Sequence, residues 1–339
     1  MSEVKTKDES EIFILTGHRK SGTSMFHRLF DGHSGITVYP VDICVLYAYF
    51  PCFTKNKNLS EENLRLRLKH VLKKGLYSQD ILSKEEEIHI EEFIKKVNKR
   101  LNSTQIRNKV AVIKAIKDAW ITVIKQNKDS LPFLFKETSQ AIFFQGFKKS
   151  FPNLKMISLI RDPRDNYAAI KAGVSNYYSK MGESEKESLA SVINRVRMDL
   201  KAAELNQKNY PKSFLAIKFE ELLKNTEEIM QKITEFLNIS FEETLLKTTI
   251  KGKPYKGNSH DGKVFSGIST VNLGRWKERI QKEEAMIIEY WLKDLMDFWE
   301  YPIEYEIEDS QKEFSKFYEW YNCHYFYHDS FKKHNKLKN

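Results

Sequence analysis

Apolar residues along the chain gather into short blocks separated by amphipathic stretches. Glu11–Thr16 (EIFILT) is continuous and apolar, with the length of a buried strand, and it runs into a glycine-bearing turn at Gly17–Gly22. From Thr23 to Phe30 the spacing becomes helical. Four more runs of strand length follow at Val110–Lys114, Phe133–Phe135, Lys155–Ile160 and Ser213–Phe219. Between them, Gln140–Lys149, Arg164–Lys171, Glu187–Asn206 and Glu220–Leu237 carry helical periodicity. Strands apolar on both faces and alternating with helices predict an α/β three-layer sandwich around a parallel sheet of about five strands. Two segments break this rhythm. Leu59–Arg100 is charged and helical, and predicts a helical insertion of about 59–105 between the first and second strands. The tail from about Asp309 is aromatic and basic, with Tyr318, Trp320, Tyr321, Tyr325, Phe326 and Tyr327, and reads as a strap packed across the domain. No repeat and no Pro/Gly-rich linker divides the chain, so residues 1–339 are expected to form one domain.

Composition narrows the picture modestly. With 41% hydrophobic and 13% aromatic residues, the 339-residue chain can bury a sizeable core. Fifty-six basic against 46 acidic residues give a net charge of +10, which suits an anionic ligand such as a nucleotide, a sulfated glycan or an acidic surface. The same excess also arises from a Lys/Asn-rich composition, so charge alone decides nothing. Cys44, Cys52 and Cys323 form neither a CxxC pair nor a finger spacing, which argues against a disulfide framework or structural zinc. A polar N-terminus and the lack of any apolar run of about 18 residues lead to the expectation of a cytoplasmic protein without a transmembrane segment.

The first chemical signal is Gly17-His18-Arg19-Lys20-Ser21-Gly22-Thr23-Ser24, between a strand and a helix. Glycines at its first and sixth positions let the backbone turn its amides onto a small anion, to which the following helix adds its N-terminal N–H groups. The spacing is that of a Walker A loop, and hence P-loop-NTPase-like, but Thr23 occupies the lysine position and a lysine stands inside the loop at Lys20. A glycine turn with incidental basic residues is the competing account. The run Arg19–Ser24 resembles the phosphosulfate loop of the sulfotransferases that use 3'-phosphoadenosine-5'-phosphosulfate (PAPS), in their bacterial and carbohydrate- or tyrosyl-protein-type branch. The resemblance implies that Lys20 contacts the bridging oxygen of the phosphosulfate and that the amides of Ser21, Gly22, Thr23 and Ser24 hold the 5'-phosphate. Arg19 would add mobile charge.

A second motif, Arg161-Asp162-Pro163-Arg164-Asp165, follows the predicted strand Lys155–Ile160. Asp162 suits a helix cap and Pro163 a first helical position. The family's 3'-phosphate motif lies in this place, and the resemblance carries that role to Arg161. Arg164 and Asp165 read as a structural ion pair. Where the family has a 3'-phosphate serine this chain has Ala169, so the contact is missing or supplied by Lys171 or a neighbour. Lys256-Gly-Asn-Ser259, Phe265-Ser-Gly-Ile268 and Gly274-Arg275-Trp276-Lys277 resemble the family's nucleotide-closing region, which implies that Asn258, Ser259 and Arg275 approach the nucleotide. Trp276 reads as a core anchor. Met25 stands near the position at which cytosolic members carry an adenine-stacking tryptophan.

Sulfuryl transfer needs a base beside the acceptor and a cation beside the leaving group, with no metal in principle. Glu137, at the end of Phe133–Phe135, and Asp42, after the first helix, are the candidate bases, with Glu137 placed first and a capping or ion-pair role as the alternative for each. His18, flanking the loop, and His33, in the turn after the first helix, are weaker. No His/Asp/Glu cluster has metal spacing. The sequence therefore predicts a PAPS-dependent sulfotransferase acting on a hydroxyl or amine of an acceptor (a glycan, a peptide or a small alcohol), with no nucleic acid partner expected. A P-loop-like kinase or NTPase and a non-enzymatic polyanion binder are the alternatives. The first is disfavoured by the missing Walker lysine, and the second predicts that Lys20 is dispensable.

Overall fold

In the computed structural model, the described residues are 11–45, 60–77, 84–123, 131–175, 184–257, 264–265 and 267–324. Five strands form a single parallel sheet: β1 (Ile12–Gly17), β2 (Thr37–Asp42), β3 (Phe133–Lys136), β4 (Lys155–Ile160) and β5 (Phe214–Lys218). They lie in the order β2-β3-β1-β4-β5. A small antiparallel pair, β6 (Thr249–Ile250) and β7 (Lys253–Pro254), stands apart. The helices are α1 (Thr23–Arg28), α2 (Glu61–Tyr77), α3 (Lys84–Lys99), α4 (Lys109–Val123), α5 (Phe144–Ser150), α6 (Pro163–Lys171), α7 (Glu185–Asn209), α8 (Phe219–Lys224), α9 (Thr226–Leu237), α10 (Trp276–Arg279), α11 (Lys282–Phe298) and α12 (Ile307–Asn322).

Side-chain alternation along the strands builds two cores. Ile12, Ile14, Phe133, Phe135, Met156 and Phe214 face one helical layer, while Phe13, Leu15, Leu134, Ile157, Leu159 and Ile217 face the other. Each face is covered, as an all-parallel sheet requires. The first layer holds α4, α7 and α11. The second holds α1, α8 and α9, where Phe26, Leu222, Met230 and Ile233 are buried together with Leu29 and Phe30 just past the end of α1. The chain leaves β1 for β2 and β3 on one side, then returns to β4 and β5 on the other. The carboxyl end of β1 is therefore the topological switch point at which open α/β sheets bind ligands.

Three expectations are corrected. Val110–Lys114 is not a strand but the start of α4, where Asn108 caps the helix by accepting from the Val110 amide at 2.9 Å. The local β-branched residues lose to a longer amphipathic pattern that buries Val112, Ile116, Ala119 and Trp120. The fifth strand is instead β2, unpredicted because Pro40 interrupts it. Proline is tolerated there because β2 lies at the sheet edge. As a result the helical insertion follows β2, and its Phe93 reaches the sheet through Tyr39, whose ring lies 6.5 Å away. Glu220–Leu237 is two helices broken at Asn225. The aromatic tail packs on α11, with Phe314 stacked 5.1 Å from Trp291; Tyr325, Phe326 and Tyr327 lie outside the described residues. No described helix is long and apolar enough to cross a membrane.

Candidate active site

β1 ends at Gly17, where a Cβ would meet the Leu159 carbonyl oxygen at 2.3 Å, so only glycine lets the loop leave the sheet here. Lys20 (φ 64°) and Gly22 (φ 87°) both take left-handed backbone, which curls the loop before α1 begins at Thr23. A Cβ on Gly22 would meet the Phe219 ring at 2.1 Å; the ring occupies the space a side chain would need. The Ser21 amide donates to the His18 carbonyl at 3.1 Å and closes the turn. From α6, Asn166 Nδ2 donates to the Arg19 carbonyl (2.7 Å) and to Ser21 Oγ (3.1 Å). Arg161 Nη1 donates to the Lys20 carbonyl at 2.9 Å. The loop is thus held from beneath by the segment that carries the second motif.

Beside it lies a cleft. Lys20, Gly22 and Met25 form one side, and Arg161 with the small side chains Ala168, Ala169 and Ala172 forms another. Phe219, Tyr255 and Phe265 supply aromatic wall, while Arg275 and Arg279 complete a cluster of cations. Arg161 is buried, and its guanidinium sits 4.9 Å over the Phe219 ring. Two of its five N–H donors are engaged, one by Lys20 and one by the Asn272 carbonyl (3.1 Å), and its Nε has no hydrogen-bond partner among the described residues. Arg164 points the other way. It is held by Asp162 (2.7 Å) and Glu289 (2.5 Å) and stacks 4.2 Å over Trp276, so the expected Arg164–Asp165 pair is not formed. Trp276 is buried and acts as the anchor its sequence context suggested.

The candidate bases meet at the carboxyl ends of β2 and β3. Lys136 Nζ lies 2.6 and 2.7 Å from the two oxygens of Asp42 and 3.2 Å from Ser24 Oγ, which ties this group to the first turn of α1. Lys136 is buried, whereas the Asp42 side chain is 38% exposed. Glu137 is buried, and its Oε1 accepts from the Thr138 amide at 3.0 Å. Burial, with the charge of Asp42 adding to it, pushes its carboxyl up to about 8. Burial thus favours the neutral form of Glu137, and Asp42 is the more exposed of the two carboxylates. The end of β3 turns into the core and buries Glu137, while the end of the edge strand leaves Asp42 accessible.

Of the expected nucleotide contacts, Lys20, Gly22, Arg161 and Arg275 line one cleft. Arg19 does not. Its Nη2 donates to Ser191 on α7 at 3.1 Å. Ser21 donates its amide to the His18 carbonyl and its hydroxyl accepts from Asn166 on α6, Thr23 is buried beneath Gly17, and Ser24 faces Lys136. Asn258 and Ser259 lie outside the described residues. Lys171 is bound to Glu284 at 2.8 Å, away from the cleft, so it does not stand in for the serine replaced by Ala169. Sequence reasoning missed Arg279, Phe219, Tyr255 and Lys136. Arg279 lies one helical turn beyond Arg275, the only advance signal among them. His18 is buried 3.7 Å from Asp199, and burial, then the nearby Arg195 and Arg19 charges, hold its pKa well below the ordinary value. His33 hydrogen-bonds the Ser240 carbonyl at 2.9 Å, a structural role. Among the described residues no group of three His, Cys, Asp or Glu side chains could hold a metal ion.

A model of the sulfotransferase family matches residues 11–243, a span from β1 to the end of the second helical layer. The sulfotransferase domain of the Synechococcus PCC 7002 olefin synthase superposes with a TM-score of 0.57 at 15% identity, covering 89% of this chain and 99% of that one. The sulfotransferase domain of the curacin biosynthetic pathway gives 0.55 at 16%, covering 87% and 99%. At such identity these likenesses establish the fold. No curated relative matches the sequence.

Proposed function

The chain belongs to the sulfotransferase family, and on that premise we propose that it moves the sulfuryl group from PAPS to a hydroxyl or amine of an acceptor. The observation that carries this reading is the single cleft joining the lysine-bearing loop to a second group of cations, Arg161, Arg275 and Arg279, with aromatic wall between them. A nucleotide with anionic groups on both its 3' and 5' sides matches that layout, and the cradle of Lys20, Gly22 and the Arg161 guanidinium fits its phosphates. PAPS, when bound, supplies a sulfuryl group whose S–O bond to the 5'-phosphate breaks as the acceptor oxygen or nitrogen bonds to sulfur.

The chain's own residues take these roles in the proposal. Gly22 and the first amides of α1, at Thr23 and Ser24, face the 5'-phosphate, and Lys20 balances charge growing on the departing oxygen. Arg161, with Arg275 and Arg279, binds the 3'-phosphate and compensates for Ala169. Phe219, Tyr255 and Phe265 enclose the base. Asp42 takes the acceptor's proton on its carboxylate, while Lys136, bonded to both Asp42 oxygens and to Ser24 Oγ, orients that carboxylate toward α1. Residues 1–339 act as one transferase domain, and the acceptor, a glycan, peptide or small alcohol, approaches from the Asp42 side.

The test is transfer of labelled sulfate from PAPS to a panel of such acceptors, with Lys20→Ala as control. Transfer that falls by about 10²–10³-fold in the variant is expected. Magnesium-dependent ATP turnover without sulfate transfer would select the kinase alternative instead.

A further inference from the structure

Asp165 belongs to the second motif and stands at the wall of the cleft beside Arg161. It is 2% exposed in the first turn of α6. Its Oδ2 accepts from the Gly274 amide at 2.7 Å and its Oδ1 from the Trp276 amide at 2.9 Å, so one carboxylate spans the two peptide groups on either side of Arg275. Gly274 takes left-handed backbone (φ 70°), which turns both N–H groups toward the same point. The next contact of Asp165 is Arg161 Nη2 at 3.9 Å, beyond hydrogen-bond range. With both oxygens occupied by amides, the carboxylate compensates the buried guanidinium without consuming its donors. Arg161 closes the circuit by donating to the Asn272 carbonyl of the same turn.

We infer that Asp165 is the positioning residue of the nucleotide cleft: it clamps the 272–276 turn so that Arg275 and Arg279 stand opposite Lys20, and it holds Arg161 charged but available. This rests on the nucleotide reading given above. It acts through the two backbone amides it holds, so the identity of residue 165 matters at this turn. Neighbouring interactions support the same turn but cannot replace the clamp. Arg164 secures the Trp276 ring, a contact that leaves the orientation of the Gly274 and Trp276 amides unset.

Asp165→Asn and Asp165→Ala test it, by calorimetric binding of adenosine 3',5'-bisphosphate, by steady-state kinetics, and by hydrogen exchange of residues 272–277 without nucleotide. The asparagine keeps side-chain volume and one acceptor but turns an NH2 toward an amide, and carries the test should the alanine variant not fold. Loss of charge-assisted bonds of this kind predicts affinity weaker by about 10- to 100-fold. KM for PAPS should rise in step while kcat at saturation stays within about threefold, the pattern of lost binding in place of lost chemistry. Exchange at Gly274 and Trp276 should accelerate while the β1–β4 pair keeps its protection. Wild-type affinity in a folded variant, or unchanged exchange at the turn, overturns the inference. Failure of the wild-type protein to bind the bisphosphate would count against the proposed function instead, and the exchange result would still decide whether the clamp exists.

Discussion

Gly22→Ala perturbs two things that the structure links. The position has φ 87°, and a methyl group there would sit 2.1, 2.5 and 2.9 Å from three atoms of the Phe219 ring. Left-handed backbone costs a non-glycine residue about 1–2 kcal/mol. Forcing a methyl into a packed interface costs about 1–3 kcal/mol more. The ring is largely buried, packed on the second core and covered by the Arg161 guanidinium, so it has little room to give way. The expected destabilisation is therefore about 2–5 kcal/mol. A functional loss accompanies it, because Arg161 rests 4.9 Å over that ring and must move with it. Urea unfolding should show a lower midpoint at an unchanged slope. Adding Phe219→Leu should recover the packing part and leave the backbone part. If Gly22→Ala unfolds at the wild-type midpoint and binds adenosine 3',5'-bisphosphate equally well, the ring does not occupy the space assigned to it and the loop geometry is wrong.

Asp42→Asn, which removes the proposed base, should lower kcat by about 10²–10⁴-fold and leave KM for PAPS nearly unchanged, measured by initial rates of labelled-sulfate transfer. Equal losses of kcat and nucleotide affinity would contradict that role. Glu137 gives a pH signature in stability. Its folded pKa of about 8 lies above its ordinary value of 4.5, so the folded state binds the extra proton and stability declines as pH rises from about 4.5 to about 8, then levels off. Glu137→Gln keeps the shape without the titration, so its urea midpoint should be flatter over that window and exceed the wild type's most at the alkaline end. Parallel curves for the two proteins would place the Glu137 carboxyl in a less buried setting.

The sheet and its ligand-binding edge were legible because they depend on local pattern. Continuous apolar runs at Ile12–Gly17, Lys155–Ile160 and Phe214–Lys218 have no other use than a two-sided strand. Pro40 hid β2, since whether a strand tolerates proline depends on its place in the sheet, which a local window does not contain. Val110–Lys114 failed for the opposite reason. Its local preference is extended, and the aromatic packing of Trp120 against Tyr39 and Phe93 decides for helix from a distance. In the site, Lys20 and Arg161 carried motif signals. Phe219, Tyr255 and Arg279 did not, because they reach the cleft from three separate segments through tertiary packing alone. The motif did not convey direction at Arg19 and Ser21, where adjacent residues point alternately into the cleft and into the supporting helices. That Glu137 is buried and Asp42 is not could not be read in advance, because strand-end position does not fix burial.

Calorimetric titration of the full chain with adenosine 3',5'-bisphosphate in the absence of magnesium, alongside Lys20→Ala and Arg161→Ala, addresses the assignment of the cleft most directly. The account predicts saturable one-to-one binding that weakens in both variants, with adenosine 5'-phosphate discriminated against by the wild type and no longer by Arg161→Ala. Binding of ATP only with magnesium, or affinity for the bisphosphate that neither substitution alters, would contradict it.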